Sequence, residues 1–289
     1  ITGKTVSCFE PALDYCAVKV PRFEIEKFPA GYKSLGTQMK SVGESLALGR
    51  TFPEAMNKAL RSAEMGFDGL RQLDIGYNGL DEMLEKQHPL RIFAIYTVLS
   101  REGERAVEKL SRTTGFDPWF LYQMLDQIKL EDDLSHKGLN PDDLLEAKRF
   151  GISDARISAI CGTTEEEVVR KRDEEGIRAS YHFVDTCAGE FTAQTPYFYS
   201  TYGEVDEGGP LEKDSVIILG SGPNRIGQGL EFDTSCTLAS LAYQSCGVKT
   251  IMVNSNPETV STDYNVSDRL YIEPLTFEYV KEINLQIYF

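Results

Sequence analysis

The sequence predicts a mixed fold in which an all-helical segment precedes the beginning of a parallel α/β sheet. Residues 67 to about 175 carry repeated helix-start signals and apolar stripes at helical spacing. Residues 216–219 and 250–253 are short apolar runs, which are typical of buried strands. A glycine-rich turn at residues 220–229 and a helix-like segment separate these two runs. This order predicts a βαβ unit, whose ligands would lie at the carboxyl ends of its strands.

Composition narrows the classes of partner. The chain has 289 residues, which predicts two or three domains. Its 30 basic and 45 acidic residues leave a net charge of −15, and binding nucleic-acid phosphates requires a surplus of Lys and Arg. No apolar stretch has the length of a membrane span, and no secretion signal is present. We therefore expect a cytoplasmic protein with no nucleic-acid or membrane partner, and the missing initiator Met predicts a piece of a longer chain.

The cysteines predict neither a metal site nor a disulfide framework. None of the six has C-x-x-C spacing, and only three His are present, so we expect no metal ligands. Their mostly apolar neighbours predict buried, reduced thiols, with Cys246 in the core. Trp119, the only Trp, is also predicted to pack in the core rather than to hold a ligand.

The first 63 residues combine strand and helix signals. Residues 15–20 are apolar and β-branched, and Pro21 is expected to end this strand. Residues 38–44 predict a polar loop or a helix start. Thr51, followed by Pro and Glu, predicts a capped helix that runs to about Gly66.

Later segments are predicted from caps and from composition. Capping residues predict four helix starts, at Asp117, at Asn140, at Ser153 and at either Thr163 or Thr164. Residues 181–208 are crowded with aromatic side chains and predict an extended segment lying across a neighbouring surface. Residues 203–214 predict a linker, and Thr276 is expected to start a last helix after an apolar run at residues 268–272.

The glycine loop departs from the known nucleotide-binding motifs. Gly220 and Gly222 open a dinucleotide-binding turn, but the third glycine, Gly227, comes two positions too late. Asn254 stands where an acidic residue would bind the ribose, and no Gly-Lys-Ser/Thr follows to make a P-loop. Amides after Gly222 can hold an anion at a helix N-terminus. A tight turn without any ligand explains the spacing equally well.

Two long motifs identify a family. Residues 222–233 read GPNRIGQGLEFD, and residues 252–264 read MVNSNPETVSTDY. Both closely resemble the large subunit of carbamoyl phosphate synthase, in its bacterial form. Five further segments resemble the same family in the same order: residues 9–15, 19–23, 39–44, 116–121 and 185–190.

The resemblance implies three pieces of an internal fragment. Residues 1–63 would be the C-terminal part of the first ATP-grasp half, which forms carboxyphosphate. Residues 64–213 would be the helical oligomerisation domain. Residues 214–289 would begin the Rossmann-like pre-ATP-grasp domain of the half that forms carbamoyl phosphate.

The resemblance also implies an activity for the parent protein. This ligase makes carbamoyl phosphate from bicarbonate, glutamine-derived ammonia and two ATP with Mg²⁺, Mn²⁺ and K⁺, for arginine or pyrimidine biosynthesis. The implied partners are the rest of the large subunit, a glutaminase small subunit or domain, and further copies of the chain. The ATP and metal ligands of the family fall outside this sequence. We therefore expect no catalytic residue, metal or cofactor in the fragment, and no activity from it alone.

The implied role of the fragment is to line a passage. The family carries unstable carbamate through an internal tunnel, and Glu44, Glu231 and Glu258 match glutamates associated with it, together with Gly229. Carboxylates in a polar tunnel can exchange protons with carbamic acid or hold water bridges. Simpler structural roles also exist: Glu231 in the first turn of a helix, Glu258 as a backbone cap and Gly229 as a backbone requirement.

The glycine loop supplies four further candidates: Gly222, Asn224, Arg225 and Gln228. Two alternatives for the whole fragment remain open. One is a non-catalytic subunit-interaction module built on the helical segment. The other is an NAD-type nucleotide-binding domain.

Overall fold

A computed structural model describes residues 5–27, 35–211, 214–228 and 231–288. Within these residues the strands are β1 (Cys16–Arg22), β2 (Gly43–Gly49), β3 (Ser180–Phe183), β4 (Tyr197–Thr201), β5 (Ser215–Leu219), β6 (Lys249–Val253) and β7 (Arg269–Tyr271). The helices are α1 (Phe52–Ser62), α2 (Tyr77–Glu85), α3 (Arg91–Glu102), α4 (Val107–Thr114), α5 (Pro118–Lys137), α6 (Pro141–Arg149), α7 (Asp154–Cys161), α8 (Glu165–Glu174), α9 (Glu231–Ser245) and α10 (Phe277–Tyr288). The predicted combination of an all-helical segment and a mostly parallel sheet is confirmed.

An antiparallel hairpin of β1 and β2 precedes the helices. Cys16 pairs with Gly49, and Arg22 pairs with Gly43. The prediction that Pro21 ends the first strand was wrong, because β1 continues through it. A strand in a two-stranded sheet has an open edge, where a residue without an N–H is tolerated. The loop or helix start predicted at residues 38–44 was also wrong at its end, since Gly43 opens β2.

The helical segment begins where its capping residues predict. Thr51 caps α1 by accepting a hydrogen bond from the Glu54 N–H at 3.4 Å, although α1 ends at Ser62 rather than near Gly66. The caps of α5, α6 and α7 are the predicted residues, and α8 is capped by Thr164 rather than by the alternative Thr163; each cap accepts a backbone N–H. Helices α1 to α5 bury one shared apolar core, and α5 to α8 bury a second.

The five-stranded sheet has the order β3-β4-β7-β6-β5. Strands β5, β6, β7 and β4 run parallel, and β3 is antiparallel to β4. Strands β5 and β6 with α9 form the predicted βαβ unit. The aromatic segment is not laid across a surface: residues 180–183 and 197–201 are strands within the sheet. Its aromatic rings become core residues there, as Tyr181 and Tyr199 show at 1% and 0% exposure.

Two predictions about burial were wrong. None of the six cysteines, all within the described residues, is fully buried, and Cys246 is exposed at the end of α9. Trp119 is 51% exposed because the first turn of α5 lies at the surface, where its ring contacts Phe52 and Phe120. Across the described ranges, no helix is both long and apolar enough to cross a membrane.

Candidate functional site

Two polar loops meet at one edge of the sheet. The first, residues 220–228, follows β5, and the second, residues 254–264, follows β6. Strands β5 and β6 are parallel neighbours, from Ser215 opposite Lys249 to Leu219 opposite Val253. Their carboxyl ends therefore lie side by side, which is the usual ligand position in open parallel sheets.

Asn254 ties these two loops together. Its side-chain oxygen accepts hydrogen bonds from the Gly222 N–H at 3.1 Å and the Ser255 N–H at 2.9 Å. Its side-chain NH₂ donates to Ser261 Oγ at 3.3 Å. A Cβ at Gly220 would lie 2.4 Å from Asn254 Cγ, so a glycine is required there. Since this amide is used internally at the position where a dinucleotide fold places an acid, the geometry gives the NAD alternative no support.

The glycine loop is also anchored to the end of α1. Arg225 forms an ion pair with Glu64, and the Arg22 guanidinium donates to the Ala63 and Glu64 carbonyl oxygens at 2.7 and 2.6 Å. Gly222 has a φ of +66°, and a Cβ there would lie 2.6 Å from Glu64 Oε1. Both the backbone conformation and the close approach of Glu64 therefore require glycine at residue 222.

Glu24 accepts an amide of this loop. Its side chain is 4% exposed, accepts the Ile226 N–H at 2.6 Å, and pairs with Arg22 at 3.3 Å and Lys27 at 3.1 Å. Burial alone would raise the pKa of this carboxyl, but the Ile226, Lys27 and Arg22 hydrogen bonds lower it overall. The predicted affinity of the loop amides for an anion is thus met at Ile226 by a carboxylate of the same chain. Sequence reasoning missed Glu24, because no local signal links residues so far apart.

Lys19 brings two of the predicted glutamates together. Its Nζ lies 2.5 Å from Glu44 Oε1 and 3.4 Å from Glu258 Oε1. The Glu44 side chain is 22% exposed, and that of Glu258 is 66% exposed. Hydrogen bonding to Glu44, and then to Lys19, lowers the pKa of Glu258. Three elements therefore assemble one charged cluster, since Lys19 is in β1, Glu44 is in β2, and Glu258 follows β6. We call it the Lys19 cluster.

Two further candidates, Asn224 and Gln228, lie in the glycine loop. Asn224 accepts a 3.4 Å hydrogen bond from the Asn256 side chain, and a Cβ at Gly43 would lie 2.7 Å from the Asn224 N atom. The hairpin thus closely approaches the glycine loop. Gln228 is exposed, and its N–H donates to the Arg225 carbonyl oxygen at 3.1 Å, which closes a turn.

The last two candidates are Gly229 and Glu231. Gly229 lies outside the described residues, and Glu231 begins α9 with a side chain that is outside them as well. The described acid in the first turn of α9 is Asp233, which is 7% exposed. It accepts the Val260 N–H at 2.8 Å and the Ser261 N–H at 3.1 Å, and so it fixes the second loop.

The chemistry available at this edge is proton exchange and hydrogen bonding. Paired carboxylates beside an ammonium group can hold water or pass a proton. Within the described ranges, no group of three or more His, Cys, Asp and Glu is placed to hold a metal ion.

Comparison with known families matches both structural parts. A model described as the carbamoyl-phosphate synthetase large chain, oligomerisation domain, matches residues 44–176. A model described as the carbamoyl phosphate synthase preATP-grasp domain matches residues 212–286. The chain belongs to the carbamoyl phosphate synthase large-chain family. Glu44 falls in the first match and Glu258 in the second, so the Lys19 cluster joins residues of two family domains.

Individual relatives agree with this assignment. The chain is 49% identical over 291 residues to the carbamoyl phosphate synthase arginine-specific large chain, chloroplastic, of Arabidopsis thaliana, covering 98% of this chain and 24% of the relative. It is 50% identical over 284 residues to the large chain of Thermotoga neapolitana, with 98% and 25% covered. It is 51% identical over 288 residues to that of Streptomyces avermitilis, with 98% and 26% covered. The chain therefore spans about a quarter of the length of these relatives.

Proposed function

We propose that this chain is part of an ATP-dependent ligase that makes carbamoyl phosphate. The observation that carries the proposal is about 50% identity, over 98% of the chain, to proteins named carbamoyl phosphate synthase large chains. The substrates are bicarbonate, glutamine-derived ammonia and two ATP, with Mg²⁺, Mn²⁺ and K⁺ held by the ATP-grasp cores. The partners are the rest of the large subunit and a glutaminase subunit or domain. The arginine-specific name of the Arabidopsis relative supports arginine biosynthesis, and pyrimidine biosynthesis is the second pathway.

Within that enzyme, the chain lines the passage of carbamate. The supporting geometry is the Lys19 cluster beside the two polar loops. Passing carbamate is negatively charged when ionised, so two bare carboxylates would repel it. The ammonium of Lys19 offsets part of that charge and holds Glu44 and Glu258 at fixed positions. Asn254 and Asp233 keep the loops in place, and the carboxylates remain free to exchange protons with carbamic acid.

Blocking the passage at Gly229 in the intact enzyme tests this role. The Gly229→Phe substitution is expected to leave bicarbonate-dependent ATP hydrolysis intact while overall synthesis falls, because the intermediate still forms but cannot pass. Gly76→Phe is the control, because an added Cβ at Gly76 meets no atom within 4 Å. If Gly229→Phe leaves both activities at the wild-type level, the chain does not line the passage at this position.

The isolated chain is expected to be inactive. Purified and supplied with ATP, Mg²⁺, K⁺, bicarbonate and ammonia, it should form no carbamoyl phosphate above the enzyme-free background. Product that depends on both ATP and the chain would contradict the assignment of the catalytic groups to other segments.

A second function, subunit interaction, is favoured by the family description of residues 44–176 as an oligomerisation domain. On this proposal the isolated chain self-associates through its helical part. Sedimentation over a range of concentrations is expected to give dimers or larger species. A chain that sediments as a monomer at every concentration would argue against it.

A further inference from the structure

We propose that a second site, remote from the Lys19 cluster, binds a small oxyanion. A cavity of about 240 Å³ lies where the β2–α1 turn, the end of α6, and strands β3 and β4 meet. Arg50, Arg149 and His182 line it, together with the acids Glu54 and Glu204. The site accepts sulfate or phosphate by paired Arg N–H donors, which match oxyanion geometry.

The three basic side chains come from separate elements and are held by their neighbours. Arg50 follows β2 and pairs with Asp14 at 2.7 Å. His182, in β3, stacks on Tyr199 with ring centroids 5.7 Å apart. These contacts fix the rings and guanidinium groups before any ligand arrives, which lowers the entropy cost of binding.

Of the three basic residues, Arg149 has the guanidinium group whose N–H donors are least engaged by the protein. At the end of α6, its Nε–H donates to the Tyr202 carbonyl oxygen at 3.2 Å. Among the described residues, the carboxylate that pairs with it is Glu146, at the long distance of 4.0 Å. A guanidinium has five N–H donors, and a loose surface pair of this length neutralises it weakly.

The size of the cavity limits the ligand. About 240 Å³ exceeds the space of a single water, roughly 30 Å³, but falls below the pockets of roughly 300–1,000 Å³ that hold larger organic ligands. A tetrahedral oxyanion with a few waters fits this range. The lining holds two Arg against the two acids Glu54 and Glu204, so the site favours an anion most when Glu54 carries a proton.

The affinity of this site for an anion is expected to depend on whether Glu54 is protonated. Glu54 is 2% exposed, and its Oε2 accepts hydrogen bonds from the backbone N–H of Arg50 at 2.7 Å and from the Thr201 hydroxyl at 3.1 Å. Burial raises the pKa of Glu54 to about 7. A bound anion disfavours the ionised form of a neighbouring carboxyl, so anion binding is expected to take up a proton and to weaken as Glu54 ionises.

Other charged groups also face Glu54. Lys58 on the same helix and Glu273 after β7 form a buried pair at 2.9 Å, so their charges largely cancel. The remaining titratable neighbours are Cys16 on β1, Tyr199 on β4, Glu204 on the rim, and the basic residues Arg50, Arg149 and His182. His182 lines the same cavity, so the Glu54→Gln variant is needed to assign any proton uptake to Glu54.

This site does not depend on the proposed passage. Glu44 lies in β2 and Arg50 directly follows that strand, so the two are six residues and roughly 20 Å apart at about 3.3 Å per residue. Substitution at the oxyanion site therefore leaves the Lys19 cluster unaltered, and either proposal can fail without the other.

Calorimetric titration of the 289-residue chain with sodium sulfate tests the site. Sulfate keeps its charge between pH 6 and 8, so a change in affinity over that range belongs to the protein. Affinity is expected to be roughly tenfold higher at pH 6 than at pH 8, the change set by a group with a pKa near 7. Repeating the titration in buffers of different ionisation enthalpy should show proton uptake.

Matched variants assign the binding. Arg149→Gln is expected to weaken sulfate binding at least roughly tenfold through the lost charge-assisted hydrogen bonds. Arg178→Gln is the control, because the Arg178 side chain is 45% exposed, against 49% for Arg149. Its ion pairs, with Asp173 at 2.9 Å and Glu282 at 3.8 Å, lie outside the cavity. If Arg149→Gln does not fold, as judged by circular dichroism, Arg50→Gln replaces it.

Three results would overturn the proposal. The first is no sulfate binding at tens of millimolar at pH 6. The second is equal loss of binding in the Arg149 and Arg178 variants, which would indicate general charge attraction. The third is a Glu54→Gln variant that keeps the whole pH dependence of sulfate affinity, which would show that Glu54 does not take up the proton.

Discussion

At the scale of single residues, burial and ion pairing decide how the carboxyl groups behave. Glu54, in the first turn of α1, is buried against Thr201 of β4, while Glu258 is exposed beside an ammonium group. The first is stabilised as the neutral acid and the second as the anion. Both residues are glutamates, so residue type alone does not predict the proton affinity of either one.

Glu54 makes stability depend on pH. Its pKa rises from 4.5 to about 7 on folding, so its contribution to stability is fully present below pH 4.5 and is lost as the pH rises through 7. At about 1.36 kcal/mol per unit, the loss is at most about 3 kcal/mol. In Glu54→Gln this dependence is expected to disappear. Urea unfolding at pH 5 and pH 8 measures it, with Glu204→Gln on the rim as the control. Equal pH profiles in wild type and Glu54→Gln would contradict the prediction.

After the hydrogen bond with Glu44, Lys19 is expected to be the second contributor to the low pKa of Glu258. In Lys19→Met, the pKa of Glu258 should move up toward its usual value, because the ammonium that favours the carboxylate is removed. Carbon-detected NMR of the Glu258 carboxyl gives this pKa directly. Lys86→Met, which removes an exposed pair on α2, is the control and should leave Glu258 unchanged. A Glu258 pKa that is the same in all three proteins would show that the cluster is not formed in solution.

At the scale of elements, local signals predicted helix starts better than strands. Caps such as Asp117 and Thr164 act within one turn of the helix, so the sequence contains the whole interaction. Strand β2 was missed because its partner is β1, across a separation of more than twenty residues. Strands β3 and β4 were read as a surface segment because their place beside β7 depends on pairing with residue 270 and its neighbours.

The second loop depends on one acid of α9. Replacing Asp233 with Ala leaves the Val260 and Ser261 N–H groups without their charged acceptor, at an expected cost of about 2 kcal/mol. Urea unfolding measures the loss, and hydrogen exchange at Val260 and Ser261 should accelerate beyond the global change. Thr234→Ala, at the exposed neighbouring position of α9, is the control. Unchanged exchange at these two amides in Asp233→Ala would show that another group holds the loop.

At the scale of the whole molecule, the sequence predicted the two structural classes but not how they join. The motifs identified Glu44 and Glu258 separately, whereas Lys19, which brings them together, lies in the matching segment 19–23 and had no role assigned to it. The contact between the helical part and the sheet is made by ion pairs whose partners are more than a hundred residues apart in the sequence. Lys148 of α6 pairs with Glu278 of α10, for example. A single sequence read by local pattern contains no record of such pairs.

These pairs form a buried charged layer between the helices and the sheet. Glu278 lies 2.5 Å from Lys148, which also pairs with Asp154 at 3.0 Å. Glu282 lies 3.0 Å from Arg172, which pairs with the same Asp154 at 2.8 Å. All five side chains are at most 7% exposed. Burial alone would raise the pKa of Glu278, but Lys148 and Arg61 lower it overall, so its stabilising contribution is present at neutral pH and lost as the pH falls.

Removing one member of the layer is expected to unfold more than one element. Glu278→Ala leaves Lys148 buried with a reduced set of partners, and breaking a buried pair in this way costs about 3–5 kcal/mol. Glu174→Ala breaks an exposed pair with Arg170 and should cost under about 1 kcal/mol. Helix α10 packs under the sheet, whereas Lys148 belongs to the helical part. The loss of stability in Glu278→Ala should therefore appear in both the sheet and the helical part. Hydrogen exchange in α6 and in β6 is therefore expected to accelerate together in Glu278→Ala, whereas acceleration confined to α10 would mean that the two parts are stable independently.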